Sequence, residues 1–250
     1  MIDVLVVGGK GKMGSLTAAT IAAQDDMRLA AIVDPNVDGA ESVPAYASLR
    51  DALGAGTYGA AVEFSLPASV FANSRALLDA GVPTVVGATG LTDAQVDELR
   101  AVAAARGVGC VVATNFALGA VLMMRFAAEA AKHYAAAEIV ELHEAGKKDA
   151  PSGTALRTAR LMAEARGSRL TPAPGEAPSR GLATDGVRIH SVRLPGLVAH
   201  QEVLLAGEAE LLTIRHDSSS RVCFMGGVLL ALRAVTGLKE TVVGLENLLD

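Results

Sequence analysis

The chain predicts an α/β fold in two parts, a Rossmann-type doubly wound parallel sheet at the N-terminus and a smaller α+β domain with a mostly antiparallel sheet. Three observations point there. Short Val/Ile-rich runs alternate with helical patterns through the first half, the mark of a parallel sheet covered on both faces. The first run ends in a glycine-rich turn, Gly8-Gly9-Lys10-Gly11-Lys12-Met13-Gly14. After Thr114-Asn115-Phe116 the rhythm changes to one long helix and a series of alternating strands.

Taken in order, residues 2–7, 28–34, 60–64, 83–87 and 108–113 read as strands, because β-branched and small apolar residues run through them between turn signals. Residues 13–24, 68–80 and 93–106 read as the intervening helices, joined by right-handed crossovers. A long helix over 119–134 leads into a strand at 138–143. Pro151-Ser152-Gly153-Thr154 opens the next helix, 155–166, with Ser152 as a good N-cap. Residues 169–185, rich in Pro, Gly, Ser and Ala without periodicity, read as a surface loop. Three runs follow, 187–194, 198–205 and 208–215. Turns at Pro195-Gly196 and Ala206-Gly207 predict that they form an antiparallel meander. The tail, 221–232 and 239–249, reads as helical.

Composition excludes several classes. A net charge of −5 without a basic block leaves no nucleic-acid footprint, so any anion site is local. No apolar run is long enough to span a membrane, and the first strand starts at Ile2 without the basic region or cleavage site of a signal peptide. Cys110 and Cys223 lack CxxC spacing and sit in apolar segments, as buried thiols do in a reducing compartment. The expected location is therefore the cytoplasm.

In the first half, Gly9, Gly11 and Gly14 fit G-x-G-x-x-G between a strand and a helix. Such glycines allow a tight turn, close approach of a pyrophosphate and helix–strand packing. Asp34, at the end of the second strand, stands where an acid binds an adenosine ribose. Lys10 and Lys12 are either solvated or neutralise a 2′-phosphate, so the cofactor is NADH and/or NADPH. Ligands of such sheets lie at the carboxyl ends of the strands. Phe64-Ser65, Gly87-Ala88-Thr89 and Thr114-Asn115-Phe116 end the third, fourth and fifth strands and are expected to flank the cofactor.

The second half holds His143-Glu-Ala-Gly-Lys-Lys-Asp-Ala-Pro-Ser-Gly-Thr-Ala155. This places an imidazole and the ammonium groups of Lys147 and Lys148 just before a helix start, whose unpartnered N–H groups favour an anion. A titratable His beside a carboxylate site is what proton donation to an acidic substrate requires. The plain alternative is a basic loop capping an ordinary helix. His190, His200 and His216 match no metal-ligand spacing, and no metal is expected. Arg193 either reaches the active site or serves an interface.

With these residues in hand, the chain closely resembles the dihydrodipicolinate reductase family over essentially its whole length. The resemblance rests on Gly8, Gly11 and Gly14, on Gly87–Gly90, on Asn115-Phe116, and above all on Asp149-Ala-Pro-Ser-Gly-Thr-Ala155; Arg193, His200 and the run 216–221 also fit. The K-G-K form of the glycine loop is most like actinobacterial members. The resemblance implies NAD(P)H-dependent reduction of 4-hydroxy-tetrahydrodipicolinate, a small dicarboxylate, with loss of water, in the diaminopimelate route to lysine. It implies His143 as proton donor, Lys147 as the cation at the substrate, and Ser152, Gly153 and Thr154 as carboxylate binders. It implies a homotetramer built through the second domain, and a last helix that returns to the first. The expected domains are then 1–114 with 220–250, binding the dinucleotide, and 115–219, binding substrate and forming the oligomer. One position departs from the pattern: members commonly carry a second His after the first, and here Glu144 stands there. Its carboxylate is expected to point out of the pocket toward Lys148 or another cation. Two other readings remain in view, a homoserine- or aspartate-dehydrogenase-like oxidoreductase and a non-catalytic nucleotide sensor. The meander and the anion site argue against the first, and His143 with Lys147 against the second.

Overall fold

The computed structural model describes residues 1–170 and 177–249. In chain order the elements are β1 (Ile2–Val7), α1 (Lys12–Ala22), β2 (Met27–Val33), β3 (Ala45–Tyr46), α2 (Leu49–Ala55), β4 (Ala60–Glu63), α3 (Val70–Asp79), β5 (Thr84–Val86), α4 (Asp93–Arg106) and β6 (Cys110–Val112). There follow α5 (Leu118–Ala131), β7 (Ala136–His143), α6 (Gly153–Arg166), β8 (Leu182–Thr184), β9 (Val187–Arg193), β10 (Ala199–Ala206), β11 (Leu211–Ser218), α7 (Met225–Val235) and β12 (Thr241–Val243). They form two compact units, Met1–Phe116 with Phe224–Asp250, and Ala117–Cys223.

The first unit is built on a parallel sheet of order β12-β6-β5-β4-β1-β2-β3. Val4, Leu5, Val6 and Val7 of β1 are all buried, so consecutive side chains find cover on both faces, as the continuous apolar strand predicts. Leu5, Val7, Ala31 and Val33 pack with Leu49, Ala52 and Leu77 of α2 and α3. The tail departs from expectation. Residues 239–249 are only in part helical: β12 extends the sheet beside β6, and a short 3-10 helix, Leu245–Leu248, follows. Thr241, Val242 and Val243 are β-branched and suit an extended pairing. The segment between β2 and β4 holds β3 and α2, which the sequence left unassigned. Ser48 caps α2 by accepting from the Asp51 N–H at 3.2 Å.

The second unit carries the mixed sheet β11-β10-β7-β9-β8, with α5 and α6 packed on it. The expected three-strand meander is half right. β10 and β11 form an antiparallel hairpin. β9, however, pairs with β7 in parallel, and β7 separates it from β10. Pro195-Gly196 therefore opens a connection that passes β7 rather than a hairpin. Turn chemistry reports only a change of direction; which neighbour the next strand finds is a matter of tertiary pairing. The expected loop at 169–185 contains a 3-10 turn, Pro178–Arg180, and β8, antiparallel to β9; its residues 171–176 lie outside the described residues. No helix among the described residues is long and apolar enough to cross a membrane.

Candidate functional site

The glycine-rich turn joins β1 to α1 at the carboxyl end of the first sheet. A Cβ at Gly14 would stand 2.0 Å from the Gly8 carbonyl oxygen, and one at Gly9 would stand 2.8 Å from Cβ of Ile32. These two positions demand glycine for the packing of the turn itself. Gly8 adds a φ of +80°, a conformation that side chains resist. Gly11 is different, with an ordinary φ of −71° and only a 3.2 Å contact to meet. It is the N-cap of α1 and offers no side-chain acceptor, so the first-turn N–H groups of Lys12, Met13 and Gly14 are left without a capping side chain, as an anion site requires.

A cleft of about 500 Å3 opens beside this turn, lined among others by Gly8, Lys10, Gly11, Asp34, Phe64 and Ser65. Asp34 is buried and accepts the Lys10 N–H through Oδ2 at 3.0 Å and the Asn36 N–H through Oδ1 at 3.0 Å. It thus ties the glycine loop to the end of β2. Glu63, also buried, accepts from the Ser65 N–H and from Asn73 Nδ2 and braces the 64–67 loop; burial pushes its carboxyl up. The cradle, the bare helix start and the acid at the β2 end fit a dinucleotide.

Gly87 and Ala88 donate their N–H groups to the Glu63 carbonyl. Phe64 and Phe116 meet edge to face with centroids 5.8 Å apart, and a Cβ at Gly87 would strike both rings. Phe116 is buried, so its ring serves packing, and it is Phe64 that lines the cleft. Thr89 and Thr114 are exposed and Asn115 half-buried, at the ends of β5 and β6 and outside the cleft lining.

In the second unit, strand periodicity puts Ile139, Glu141 and His143 on one face of β7. Glu141 is fully buried, a rare condition for a carboxylate unless it is paired. Its partners include His143 Nδ1 at 2.5 Å from Oε2, Arg193 Nη1 at 2.9 Å from Oε2, Arg193 Nη2 at 2.8 Å from Oε1, and the Ser152 N–H to Oε1 at 3.2 Å. Burial pushes this carboxyl up, but the hydrogen bonds from His143 and Arg193 outweigh it and hold the group at about 2. Arg193 lies opposite His143 in the β7–β9 register, and its Nη2 also donates to the Asp149 carbonyl at 2.7 Å. One buried acid therefore fixes the imidazole, the guanidinium and the start of α6 together.

The expected site residues gather around that acid. Ser152 caps α6, its Oγ accepting the Ala155 N–H at 3.2 Å. Nothing lies within 4 Å of where a Cβ at Gly153 would stand. The glycine is not required by the protein's own packing, and it keeps clear the ground over the first turn, where Thr154 follows. Lys147 Nζ pairs with Asp149 Oδ2 at 2.8 Å, so the loop carries its own counter-ion. Glu144 is exposed and pairs with Arg221 Nη2 at 3.2 Å, not with Lys148. Two of the imidazoles away from the site have carboxylate partners: His190 meets Glu138 at 2.8 Å and His200 meets Asp217 at 2.7 Å. Sequence reasoning missed Glu141. The signal was present, an acid two positions before His143 in a strand that otherwise reads as core.

The chain matches the family model "Dihydrodipicolinate reductase, N-terminus" over residues 2–116 and "Dihydrodipicolinate reductase, C-terminus" over residues 119–249. It is 46% identical to the 4-hydroxy-tetrahydrodipicolinate reductase of Streptococcus suis, covering 99% of both chains. It is 44% identical to that of Listeria welshimeri, covering 100% of both. The solved structure of a dipicolinate-bound dihydrodipicolinate reductase from Paenisporosarcina sp. TG-14 superposes with a TM-score of 0.90 at 40% identity, covering both chains in full. A probable dehydrogenase from Thermotoga maritima, 13% identical with a TM-score of 0.69 over 99% of this chain and 92% of its own, shares the fold.

Proposed function

The chain belongs to the dihydrodipicolinate reductase family, and on that premise we propose that it reduces 4-hydroxy-tetrahydrodipicolinate, with His143 as the proton donor and Glu141 as the residue that positions it. The activity is an NAD(P)H-dependent reduction in the diaminopimelate route to lysine. The net reaction takes up one hydride and one proton and releases the 4-hydroxyl as water. A nicotinamide dinucleotide would be held by its pyrophosphate at Gly8–Gly14 and by its adenosine ribose at Asp34, and would supply the hydride. The remaining work falls to side chains of the second unit.

The observation that carries the assignment is the 2.5 Å contact between His143 Nδ1 and Glu141 Oε2. A buried carboxylate accepts the Nδ1 proton, which fixes the tautomer and leaves Nε2 as the nitrogen that exchanges protons with substrate. The relative from Paenisporosarcina binds dipicolinate, a dicarboxylate. The α6 start, with the Gly153 N–H, Thr154 and the Ser152 hydroxyl, supplies donors for one such carboxylate. Lys147 supplies charge for the dianion once a substrate carboxylate competes with Asp149 for its ammonium. Arg193 is committed to Glu141 and acts through it.

The protein works in the cytoplasm as a homotetramer, its second unit forming the oligomer. Size-exclusion chromatography with light scattering tests the assembly, and a tetramer mass is expected. The function is tested by cofactor oxidation on adding aspartate semialdehyde, pyruvate and the synthase that condenses them. Turnover that depends on all three components is expected; none would refute the assignment.

A further inference from the structure

A second buried polar side chain reaches α6 from the sheet beneath it. Gln201 of β10 lies directly opposite Glu141 of β7 in the strand register and is 4% exposed. It shares its face of the sheet with the buried Ile139, Val203 and Leu205. Its Nε2 donates to Thr158 Oγ1 at 2.8 Å, and the hydroxyl of Thr158, itself buried, donates in turn to the Thr154 carbonyl at 2.8 Å. A hydroxyl has a single proton to give, and Thr158 gives its proton to Thr154. Its oxygen is therefore the acceptor, and the Gln201 amide must present its nitrogen. The amide oxygen is left buried without a hydrogen-bond partner.

For folding alone this is a poor choice of residue. An unpaired buried acceptor is destabilising, and an apolar side chain of the same length would remove it. What the arrangement does is hold the start of α6. The Thr154 carbonyl and the Ala155 N–H belong to one planar peptide. Thr158 holds its oxygen, and Ser152 Oγ accepts its N–H at 3.2 Å. On the other side of Gly153, the Ser152 N–H is held by Glu141 Oε1 at 3.2 Å. Two register partners on neighbouring strands thus anchor the turn, one at each end. Between the anchors lie Gly153 and Thr154, where a substrate carboxylate is proposed to bind. Gly153 has no side chain to fix it, and nothing stands within 4 Å of where its Cβ would be. Its backbone is the freest in the turn, and its direction depends on the anchors below.

We infer that Gln201 is a positioning residue for the substrate carboxylate: through Thr158 it fixes the peptide after Thr154, and with it the direction of the Gly153 and Thr154 N–H groups. It touches no substrate itself. The inference rests on the proposed carboxylate site and adds the buried residue that keeps that site in shape.

The test uses dipicolinate, the dicarboxylate that a relative binds, as a probe of the site without turnover. Its dissociation constant is measured by calorimetry on the full-length protein saturated with reduced dinucleotide, beside steady-state kinetics and Tm. Gln201→Met keeps the length of the side chain and removes both the hydrogen bond and the orphaned oxygen. It should weaken dipicolinate binding and raise KM for substrate about fivefold, or about 1 kcal/mol. The kcat should stay within about twofold, as for loss of binding common to ground and transition states. Tm should equal or exceed that of the wild type, and cofactor affinity should not move. A merely structural glutamine would lower Tm and leave KM alone. Thr158→Val cuts the same chain one bond further on and should lose the same affinity, whereas Thr158→Ser keeps the hydroxyl and should restore it. The double variant Gln201→Met with Thr158→Val should bind no more weakly than either single one, because both break one chain. Unchanged dipicolinate affinity and KM in Gln201→Met, or losses that multiply in the double variant, overturn the inference and leave the carboxylate site standing. If Gln201→Met fails to fold, Thr158→Val against Thr158→Ser decides, and equal affinity in those two overturns it. A folded wild type that does not bind dipicolinate overturns the carboxylate site, and the inference with it.

Discussion

His143 and Arg193 face each other across the parallel pair β7 and β9, and both reach the same buried carboxylate, that of Glu141. The acid, the imidazole and the guanidinium form a charge network on the side of the sheet where α6 begins. In such a network the guanidinium and the imidazole answer for the burial of one anion, and removing any member leaves another without a partner.

Glu141→Gln is the most informative change. An amide can donate to Nδ1, which would move the imidazole proton to Nε2 and give the wrong tautomer. Loss of about 10²–10⁴-fold in kcat is expected from misplacing a general acid, with KM for substrate changed far less and cofactor binding unaffected. Nitrogen NMR of the His143 ring should show the tautomer change, which a merely structural role for Glu141 would not produce. Normal turnover in this variant would remove the positioning role.

Acid stability should carry the mark of the same group. The folded-state carboxyl of Glu141 is held at about 2, below its ordinary value of 4.5. A depressed carboxylate contributes stability that is fully present above the ordinary value and is lost as pH falls toward the folded one. The Tm of the wild type should therefore fall between about pH 4.5 and 2 more steeply than that of Glu141→Gln. The gap between the two proteins should be widest at neutral pH. Parallel curves in that window would contradict the assignment.

Glu144 stands where the resemblance implied a second His, and it turns out to Arg221. Its charge is thus spent at the surface, and exposed pairs of this kind contribute about 1 kcal/mol or less. Glu144→Gln should change KM for substrate by less than about threefold, well under 1 kcal/mol. A tenfold fall in KM would place the carboxylate against the substrate instead.

Two glycines of the nucleotide turn should fail differently. Gly14→Ala drives a Cβ to 2.0 Å from the Gly8 carbonyl, whereas Gly11→Ala meets only a 3.2 Å contact. The first should lower Tm by several degrees and cost cofactor affinity with it. Gly11→Ala should keep Tm within a degree or two and lose dinucleotide affinity, because its new methyl group fills ground that the protein leaves for the ligand. Equal losses of Tm would show that Gly11 is a packing glycine as well.

Much of this was legible in the residues. The apolar strands, the glycine turn and Asp34 announce the first sheet, because local periodicity and turn chemistry determine such units. The order of the second sheet was not legible. The pairing of β9 with β7 depends on contacts far apart in sequence, and Pro195-Gly196 looks the same whether the next strand lies beside β9 or beyond β7. The three-residue β12 is too short to carry a period, and its apolar surroundings suit a helix as well as a strand. At the site, His143, Lys147 and Ser152 were visible as chemistry-bearing types in a pattern. Glu141 was not singled out because an acid in a strand is usually a solvent-facing residue. Its burial follows only from knowing which face α6 covers.

The central claim is that the chain reduces a cyclic dicarboxylate with a proton delivered by His143. The most direct measurement compares steady-state cofactor oxidation by the wild type and by His143→Ala, with substrate generated from aspartate semialdehyde and pyruvate by the synthase, and cofactor affinity measured in parallel. The account predicts robust turnover by the wild type and a kcat lower by roughly 10²–10⁴-fold in the variant, with dinucleotide affinity unchanged. A His143→Ala enzyme turning over at the wild-type rate would contradict it.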